Sequence, residues 1–252
     1  YRRDVLEDIG EVEVLPGREP WLLPRTPGEA DTVRMLAGLK SRLADWGWTV
    51  STGPLVWNRL KTALREQAVA GSYPIVWASA IQRDGTCLLP DPTRKSGQDP
   101  KAPFIEVPPD AGYLVLKSEA VLLQRTTSKD QGRRLIAGSL DASQIMRFGG
   151  VVVENHVNLI RSRIMKHADE AFDSEIVPIS GVLALVRSQG ADKAFRCISG
   201  TVAVSASEIE AMPIPDAEFG RRAAALLAAG GSLDEAVAII DAGFQQNSVS
   251  ER

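Results

Sequence analysis

The stretch from Val151 to Ile160 constrains the fold more than any other part of this chain. It opens with three consecutive valines and continues through further branched residues. Such side chains fit the pleated, half-buried surface of a sheet, so the stretch predicts a β-strand. Three other β-rich segments precede it, at 73–81, 120–126 and 134–140. The chain is therefore predicted to contain a sheet of several strands.

Helical periodicity occurs on both sides of these segments. Between 28 and 46, apolar residues recur at spacings of three and four, which predicts an amphipathic helix. Residues 61–70 and 178–188 also favour helices, and 192–196 is predicted to extend the second. Together with the strands, these patterns predict a mixed α/β (α+β) fold.

Shorter patterns fill the remaining segments. Residues 91–109 are rich in proline and predict a long polar loop. A short strand is expected at 200–204, followed by a helical turn at 205–212 with Ser205 or Ser207 at its N-cap.

The C-terminal part is predicted to be a helical hairpin. Two segments rich in alanine and leucine, 216–229 and 232–244, are separated by two glycines. Ser232 is followed three residues later by Glu235, which is the pattern of a capping box. We therefore divide the chain into an entry segment (1–46), a main domain (47–215) and a hairpin with its tail (216–252).

Composition limits the class of protein. Of the 252 residues 44% are hydrophobic and 24% charged, which is typical of a soluble globular protein. No apolar run approaches the roughly 20 residues that span a bilayer, so no membrane partner is expected. Cys87 and Cys197 are too few for a disulfide framework, and a reducing, cytoplasmic location is expected. Because the chain starts at Tyr1 without a methionine, it is interpreted as a piece of a longer protein.

Charge is distributed unevenly along the chain. The net charge is −3, yet nine basic and only four acidic residues lie between Lys117 and Lys166. From Ser207 to Arg252, eight acidic residues face three basic ones. A locally basic segment is compatible with binding to a polyanion, although scattered charges on a solvated face would give the same count.

The motifs of most enzyme classes are absent from the sequence. There is no Gly-x-Ser-x-Gly elbow and no glycine-rich phosphate loop, and the histidines are His156 and His167. Glu154 and His156 would share one face of a strand and could hold a metal together with His167. No catalytic residue is predicted, and a small metal-dependent enzyme remains an alternative.

Four clusters combine polar side chains with apolar anchors. They lie at 51–61, 122–134, 151–163 and 195–215. Arginine can bond guanine bidentately, and asparagine or glutamine can bond adenine in the same way. Threonine, serine and lysine commonly contact phosphates. These clusters therefore indicate DNA binding, although the same residue types also serve turns and caps.

In order, the clusters resemble the C-terminal target-recognition region of TaqI-like adenine-specific DNA methyltransferases from restriction–modification systems. The resemblance spans about 49–215 and rests on Thr-Gly-Pro-Leu-Val-Trp-x-Arg, Arg-Thr-Thr, Glu-Asn-His-Val-Asn, Ser-Gly and Pro-x-Pro. In that family a separate N-terminal domain binds S-adenosylmethionine and carries an Asn-Pro-Pro-Tyr/Phe motif. Here Val107-Pro108-Pro109-Asp110 lacks both the preceding Asn and the following aromatic residue.

The resemblance implies a β-rich specificity domain that reads double-stranded DNA, whereas methyl transfer belongs to the N-terminal domain of the parent chain. The parent is then an adenine-N6 methyltransferase or a fused restriction–modification enzyme. This piece would bind no cofactor itself, and S-adenosylmethionine would belong to the parent. The resemblance and the local chemistry together give the predicted DNA-binding set: Thr52, Trp57, Arg59, Lys61, Arg125, Thr126, Thr127, Arg133, Asn155, His156, Asn158 and Arg161.

Several of these residues have a structural reading as well. Trp57 is predicted to be a core residue more readily than a base contact, and His156 and Asn158 could hold a loop or a sheet edge. At most one of Arg133 and Arg134 is expected to reach DNA beside Arg125. A different function is also open, in which the apolar stripes of the C-terminal helices dock a partner subunit.

Overall fold

The computed structural model describes residues 11, 20–26, 29–91, 101–127, 132–163 and 176–246. Within these ranges the chain combines helices with two β-sheets, so the predicted mixed α/β class is confirmed. The helices are α1 (Glu29–Ala37), α2 (Ala142–Phe148), α3 (Ile179–Arg187), α4 (Gln189–Ile198), α5 (Ala206–Ala211), α6 (Ala217–Ala228) and α7 (Leu233–Gln245). The strands are β1 (Trp48–Thr52), β2 (Leu64–Arg65), β3 (Ser72–Val76), β4 (Phe104–Glu106), β5 (Val115–Leu116), β6 (Ala120–Gln124), β7 (Ala137–Leu140), β8 (Val151–Val153) and β9 (Val157–Ser162).

The first sheet is antiparallel and has the strand order β1-β9-β6-β7. Both of its faces are covered. Val121 and Leu123 join the larger core cluster, whereas Leu122 between them joins a second cluster on the opposite face. A strand buried on both faces needs apolar residues at every position, which explains the continuous apolar run of β6.

The second sheet has the order β2-β4-β3-β8-β5. Strands β3 and β8 are parallel, with Val76 opposite Val153, and the other pairs are antiparallel. Their carboxyl ends therefore lie side by side. A short turn leads directly from β8 in this sheet to β9 in the first.

The larger core lies between the first sheet and the helices. Trp46, Phe195 and Phe244 are fully buried there. The indole nitrogens of Trp46 and Trp48 each donate a hydrogen bond to a backbone oxygen, that of Pro215 at 3.0 Å and that of Val177 at 2.8 Å. Buried indole N–H groups are thus satisfied where the C-terminal helices join the sheet.

The two C-terminal helices form as predicted, and the capping box of Ser232 and Glu235 is confirmed. Their apolar stripes pack against α3 and α4. The helices approach closely at Gly181, where a Cβ atom would lie 2.3 Å from the carbonyl oxygen of Gly220. The chain itself covers part of these stripes, whereas residues such as Leu226 and Leu227 are only partly buried. Docking of a partner subunit through the hairpin therefore stays a prediction. The proposed domain boundaries stay a prediction.

Two predicted helices are wrong in extent or kind. The helix expected over 28–46 ends at Ala37, and its last apolar residues reach the core through an irregular segment and a 3₁₀ turn at Leu43–Trp46. Residues 61–70 contain a 3₁₀ turn and β2 instead of a helix. Pairing of β2 with β4 overrides the local helical preference there.

Four further expectations differ in detail. The strand predicted over 151–160 is two strands, because a turn interrupts it after Val153. The loop expected over 91–109 contains β4, and its residues 92–100 lie outside the described ranges. Segment 192–196 belongs to a separate helix that begins after Ser188, and 200–204 contributes only an isolated bridge. The predicted N-cap at Ser205 is confirmed.

Candidate nucleic-acid interface

Ends of several strands meet at one edge of the first sheet. Strand β1 ends at Thr52, directly opposite Asn158 near the start of β9. On the other side of β9, Gln124 at the end of β6 lies opposite Val157. Since β9 runs antiparallel to both neighbours, residues from three distant parts of the sequence come together. We call this group the strand-end cluster; it comprises Thr52, Arg125, Thr126, Asn155, His156 and Asn158.

The segment after β1 is bonded closely to the β8–β9 turn. The amide of Gly53 donates to the carbonyl of Val157 at 2.7 Å, and the amide of Asn155 donates to that of Leu55 at 3.0 Å. A Cβ atom at position 53 would lie 2.2 Å from the carbonyl oxygen of Glu154. Glycine is therefore required at this position for the two segments to approach.

A buried carboxylate fixes the position of His156. Glu154 is 1% exposed, and its Oε1 lies 2.5 Å from Nδ1 of His156. Its Oε2 accepts a hydrogen bond from the backbone amide of the same histidine at 2.9 Å. The imidazole itself is exposed, so the turn presents its other ring nitrogen to solvent. A carboxylate that binds one ring nitrogen defines the tautomer and orientation of the ring.

Arg125 connects three parts of the cluster. Its amide donates to the carbonyl of His156 at 2.9 Å, and its carbonyl accepts from the amide of Val204 at 2.7 Å. The guanidinium donates to the carbonyl of Asn155 at 3.1 Å. A guanidinium has five N–H groups, so donors remain that can reach a ligand.

Asn158 lies beneath the cluster and is completely buried. Its Nδ2 donates to the carbonyl of Val204 at 2.6 Å, and the Thr52 hydroxyl donates to its Oδ1 at 3.4 Å. The amide thus ties the segment before α5 to the sheet. This is the structural role that the sequence left open, and Asn158 positions the cluster from below.

Two predicted residues have structural roles away from the cluster surface. Thr127 is buried and accepts a hydrogen bond from Nε of Arg134 at 3.0 Å. The guanidinium of Arg133 donates to the carbonyls of Val186 and Ser188, at the carboxyl end of α3. Because Thr127 and Arg133 make these contacts within the chain, we leave both out of the interface.

Burial changes the acidity of both arginines. Desolvation lowers the pKa of the Arg133 guanidinium, and it also lowers the pKa of the Arg134 guanidinium, whose second cause is the nearby charge of Arg196. Arg134 is almost completely enclosed between Thr127 and the ring of Phe195. Neither of the adjacent arginines therefore offers a free cationic head beside Arg125.

An aromatic and cationic group lies next to the cluster. Trp57 is 37% exposed, so the prediction that it is a core residue is wrong. Its ring meets that of Trp77 edge to face, with 6.4 Å between centroids. The ammonium of Lys61 lies 5.7 Å from the Trp57 centroid, and that of Lys101 lies 4.8 Å from the Trp77 centroid. We call these four residues the indole–lysine group.

The indole–lysine group adjoins the strand-end cluster through two connections. Trp57 follows Leu55 by two residues, and the backbone of Leu55 is bonded on both sides to the β8–β9 turn. Trp77 comes directly after β3, whose last residue, Val76, accepts a hydrogen bond from the amide of Glu154. Arg59, which is exposed, ends the 3₁₀ turn Trp57–Arg59, and Lys61 begins the next 3₁₀ turn, Lys61–Ala63.

Arg161 lies apart from this group. It is three residues beyond Asn158 on β9, which corresponds to roughly 10 Å along a strand, and it pairs with Thr49. Because side chains alternate along a strand, Arg161 points to the opposite face from Asn158. The structure thus does not bring Arg161 into the strand-end cluster.

Trp77 is the member of the indole–lysine group that the sequence did not indicate. It was predicted only as part of a β-rich segment, whereas Lys101 belongs to a polar loop whose basic residues could reach a groove. The parallel pairing of β3 with β8 is what brings Trp77 to the site. No local pattern in the sequence predicts that Trp57 and Trp77 are close, because they are 20 residues apart and share no periodicity.

The charge at this end of the molecule favours an anionic ligand. Arg59, Lys61, Lys101 and Arg125 supply cationic groups. Among the nearby carboxylates, Glu154 is bound by His156, and Glu208 accepts a hydrogen bond from the amide of Ser205 at 3.3 Å. The cationic groups of the site are thus of the kind that complements the negative charge of a phosphate backbone.

The described residues were also compared with the requirements of a metal site and of a nucleophilic cysteine. They contain no group of three or more His, Cys, Asp and Glu side chains that could hold a metal, and His167 lies outside the described ranges. Burial raises the pKa of Cys87 to about 12 and, as the largest of its causes, that of Cys197 to about 11, so neither is an activated nucleophile. Across the same parts of the chain, no helix combines the length and hydrophobicity of a membrane span.

Comparison with known proteins finds similarity to two Type II methyltransferases. It is 27% identical over 190 residues to the Type II methyltransferase M.PstI of Providencia stuartii, which covers 75% of this chain and 35% of that enzyme. It is 29% identical over 173 residues to M.BsuBI of Bacillus subtilis, covering 68% of this chain and 31% of that enzyme. The chain thus spans about a third of the length of the curated relatives it matches, and no protein-family model matches it.

Proposed function

We propose that this chain is a DNA target-recognition module of a Type II, adenine-specific DNA methyltransferase. One observation carries the proposal. Residues from four segments that are far apart in sequence converge at one end of the sheets. There they form a polar cluster, of which Thr126 and His156 are exposed, beside an indole–lysine group. The relationship to Type II methyltransferases agrees with this function.

Members of the site that are at least partly exposed would provide complementary contacts to a duplex. Arg125 and Asn155 are of the types that bond base edges bidentately in the major groove. His156, oriented by Glu154, supplies a further donor or acceptor. Arg59 and Lys61 are suited to phosphates, since their side chains are exposed and cationic. Contacts to bases and contacts to phosphates are thus assigned to different residues.

Adenine specificity and the use of S-adenosylmethionine follow from the resemblance to TaqI-like enzymes and belong to the proposal. The described residues do not fit that cofactor. Their one parallel strand pair, β3–β8, ends at Trp77 and Glu154, without the glycine-rich turn and helix that bind a nucleotide at such a strand end. Methyl transfer is therefore assigned to the N-terminal domain of the parent chain. Acting on cellular DNA, the module is expected in the cytoplasm.

The proposal is tested by titrating the 252-residue chain into a labelled duplex at several salt concentrations. We expect weak binding. The logarithm of the association constant should fall linearly with the logarithm of the salt concentration, with a slope of about −2 to −4 for three or four phosphate contacts. A slope of zero would exclude phosphate contact and the proposed function with it. Added S-adenosylmethionine should leave the affinity of the isolated chain unchanged.

Selection from a pool of duplexes with randomised centres then tests readout. Arg125→Ala and Asn155→Ala should each relax the selected sequence at one position, at a cost of about 1–3 kcal/mol for the preferred base. Lys61→Ala should weaken all duplexes to a similar degree. Enrichment of no sequence by the unmodified chain would leave only nonspecific DNA binding and would contradict target recognition.

A further inference from the structure

The indole–lysine group has a composition that the readout of paired bases does not require. A base pair in a duplex presents only its edges, and these are read by hydrogen-bonding groups. The side chain of Trp57 is 37% exposed, and its single polar atom is one N–H donor. The ring is suited to the face of a planar ligand, and the face of a base is accessible only when the base is unstacked.

The surroundings of Trp57 hold its ring in place. Trp77 packs against it edge to face and is itself anchored, because its indole nitrogen donates to the carbonyl of Ala102 at 3.0 Å. Trp77 is also buried, whereas Trp57 is the partner that reaches solvent. The pair therefore forms a fixed platform, which reduces the conformational entropy that binding would otherwise remove.

The charges around the platform match a nucleotide. Lys61 lies against the Trp57 ring, and Lys101 lies against that of Trp77. A stacked base carries its sugar-phosphate along the edge of the ring, where an ammonium group can meet the phosphate. Aromatic rings among lysines and arginines are the usual composition of sites that bind single-stranded nucleic acid.

We infer that Trp57, supported by Trp77 and flanked by Lys61 and Lys101, stacks an unpaired nucleobase of a bound strand. This inference rests on the proposed function, because the unpaired base is taken to belong to DNA that the module already holds. It adds a ligand chemistry that the readout of paired bases does not include. The base can come from an extrahelical position in a duplex or from a single strand.

The experiment compares three fluorescent probes: a fully paired 20-bp duplex, the same duplex with one unpaired adenine, and the single strand. The full chain should bind the duplex with the unpaired base about tenfold more tightly than the paired duplex, since one stacked base contributes on that order. Trp57→Leu should abolish this difference, so that the paired duplex and the duplex with the unpaired base bind equally. Trp57→Phe, which keeps an aromatic face, should retain most of the difference.

Trp21 supplies the matched control, because it is 64% exposed and lies outside the group. Trp21→Leu should leave all three affinities as they are. If Trp57→Leu does not fold, Trp57→Met serves in its place and should also remove the preference for the unpaired base. If Trp57→Leu weakens every probe equally, or if the unpaired base brings no gain, the inference is wrong.

The outcomes separate this inference from the proposed function. Binding of the paired duplex without preference for the unpaired base overturns only the stacking platform. A preference seen with the single strand and not with the unpaired duplex supports the platform and identifies the single strand as the source. Failure to bind any of the three probes overturns both.

Discussion

The Nδ1 atom of His156 lies 2.5 Å from Oε1 of Glu154, a carboxylate that is 1% exposed while the imidazole is 59% exposed. The pair thus joins a buried anion to a ring at the surface. A buried carboxylate that loses a partner retains its desolvation cost, so the pair links the stability of the β8–β9 turn to the geometry of the proposed interface.

His156→Ala should lower the free energy of unfolding by about 1–3 kcal/mol, because Glu154 then keeps only the bond from the backbone amide. The double variant Glu154→Gln/His156→Ala should recover part of this loss, since a neutral amide is less costly to bury. Urea denaturation of the four proteins of the cycle measures the coupling. Strictly additive losses would show that the two side chains do not depend on each other.

Gly53→Ala should destabilise the fold by about 1–3 kcal/mol, because the new methyl group would overlap the carbonyl oxygen of Glu154. Gly132→Ala is the matched control, since a Cβ atom there meets nothing within 4 Å. The denaturation midpoints of both variants give the comparison. Equal midpoints would mean that the close approach of the two segments is not rigid.

Asn158→Asp should cost more stability than Asn158→Ala. The aspartate would replace the N–H donor to the carbonyl of Val204 with a buried oxygen facing an oxygen, whereas alanine only removes the bond. We expect a loss of about 1–3 kcal/mol for alanine and a larger one for aspartate at pH 7. Thermal unfolding measures both. A smaller loss of stability for aspartate than for alanine would indicate that the side chain at position 158 contacts solvent.

The buried thiols predict a loss of stability at high pH. The pKa of Cys87 is about 12 and that of Cys197 about 11, above the value near 8.5 of an exposed thiol. At pH values above about 8.5 and below the pKa of the folded state, the thiols of the unfolded chain release protons that those of the folded chain keep. The free energy of unfolding therefore falls as pH rises. The slope is at most about 1.4 kcal/mol per pH unit for each thiol.

Denaturation at pH 8, 9 and 10 measures this slope. The variant Cys87→Ala/Cys197→Ala serves as the comparison, since it lacks both titrating groups and should show a flatter dependence. Thiol reagents provide a second readout, because they should label the native chain slowly at pH 8 and the denatured chain rapidly. Rapid labelling of the native chain would show that these thiols are accessible.

Local chemistry was sufficient to predict several features. The pairing of Ser232 with Glu235 marks the start of α7 because both partners of a capping box lie within one turn. The apolar stripe of α3 and the branched residues of β8 and β9 were recognised for the same reason. In each case the residues that decide the structure are neighbours in sequence.

Long-range pairing decided what the sequence could not predict. Residues 64–65 form a strand only because β4 is beside them, and β4 itself lies in a proline-rich segment that indicated a loop. Of the two tryptophans in contact, Trp77 directly after β3 is buried and Trp57 in a 3₁₀ turn is exposed. Thr127 and Arg133 share their sequence cluster with Arg125, yet they bond the interior and the end of α3. Proximity in sequence did not distinguish their roles.

The most direct test of the proposed interface compares two pairs of cations on the same chain. Arg59 and Lys61 lie beside the strand-end cluster, whereas Lys117 and Arg147 lie at the opposite end of the sheets, near the starts of β6 and β8. All four side chains are exposed.

The measurement is the slope of the logarithm of duplex affinity against the logarithm of salt. Arg59→Ala/Lys61→Ala should flatten this slope by about two, since each lost phosphate contact contributes about 0.9. Lys117→Ala/Arg147→Ala should leave the slope unchanged. If the second pair flattens the slope and the first does not, DNA binds at the other end of the molecule and the proposed interface is wrong.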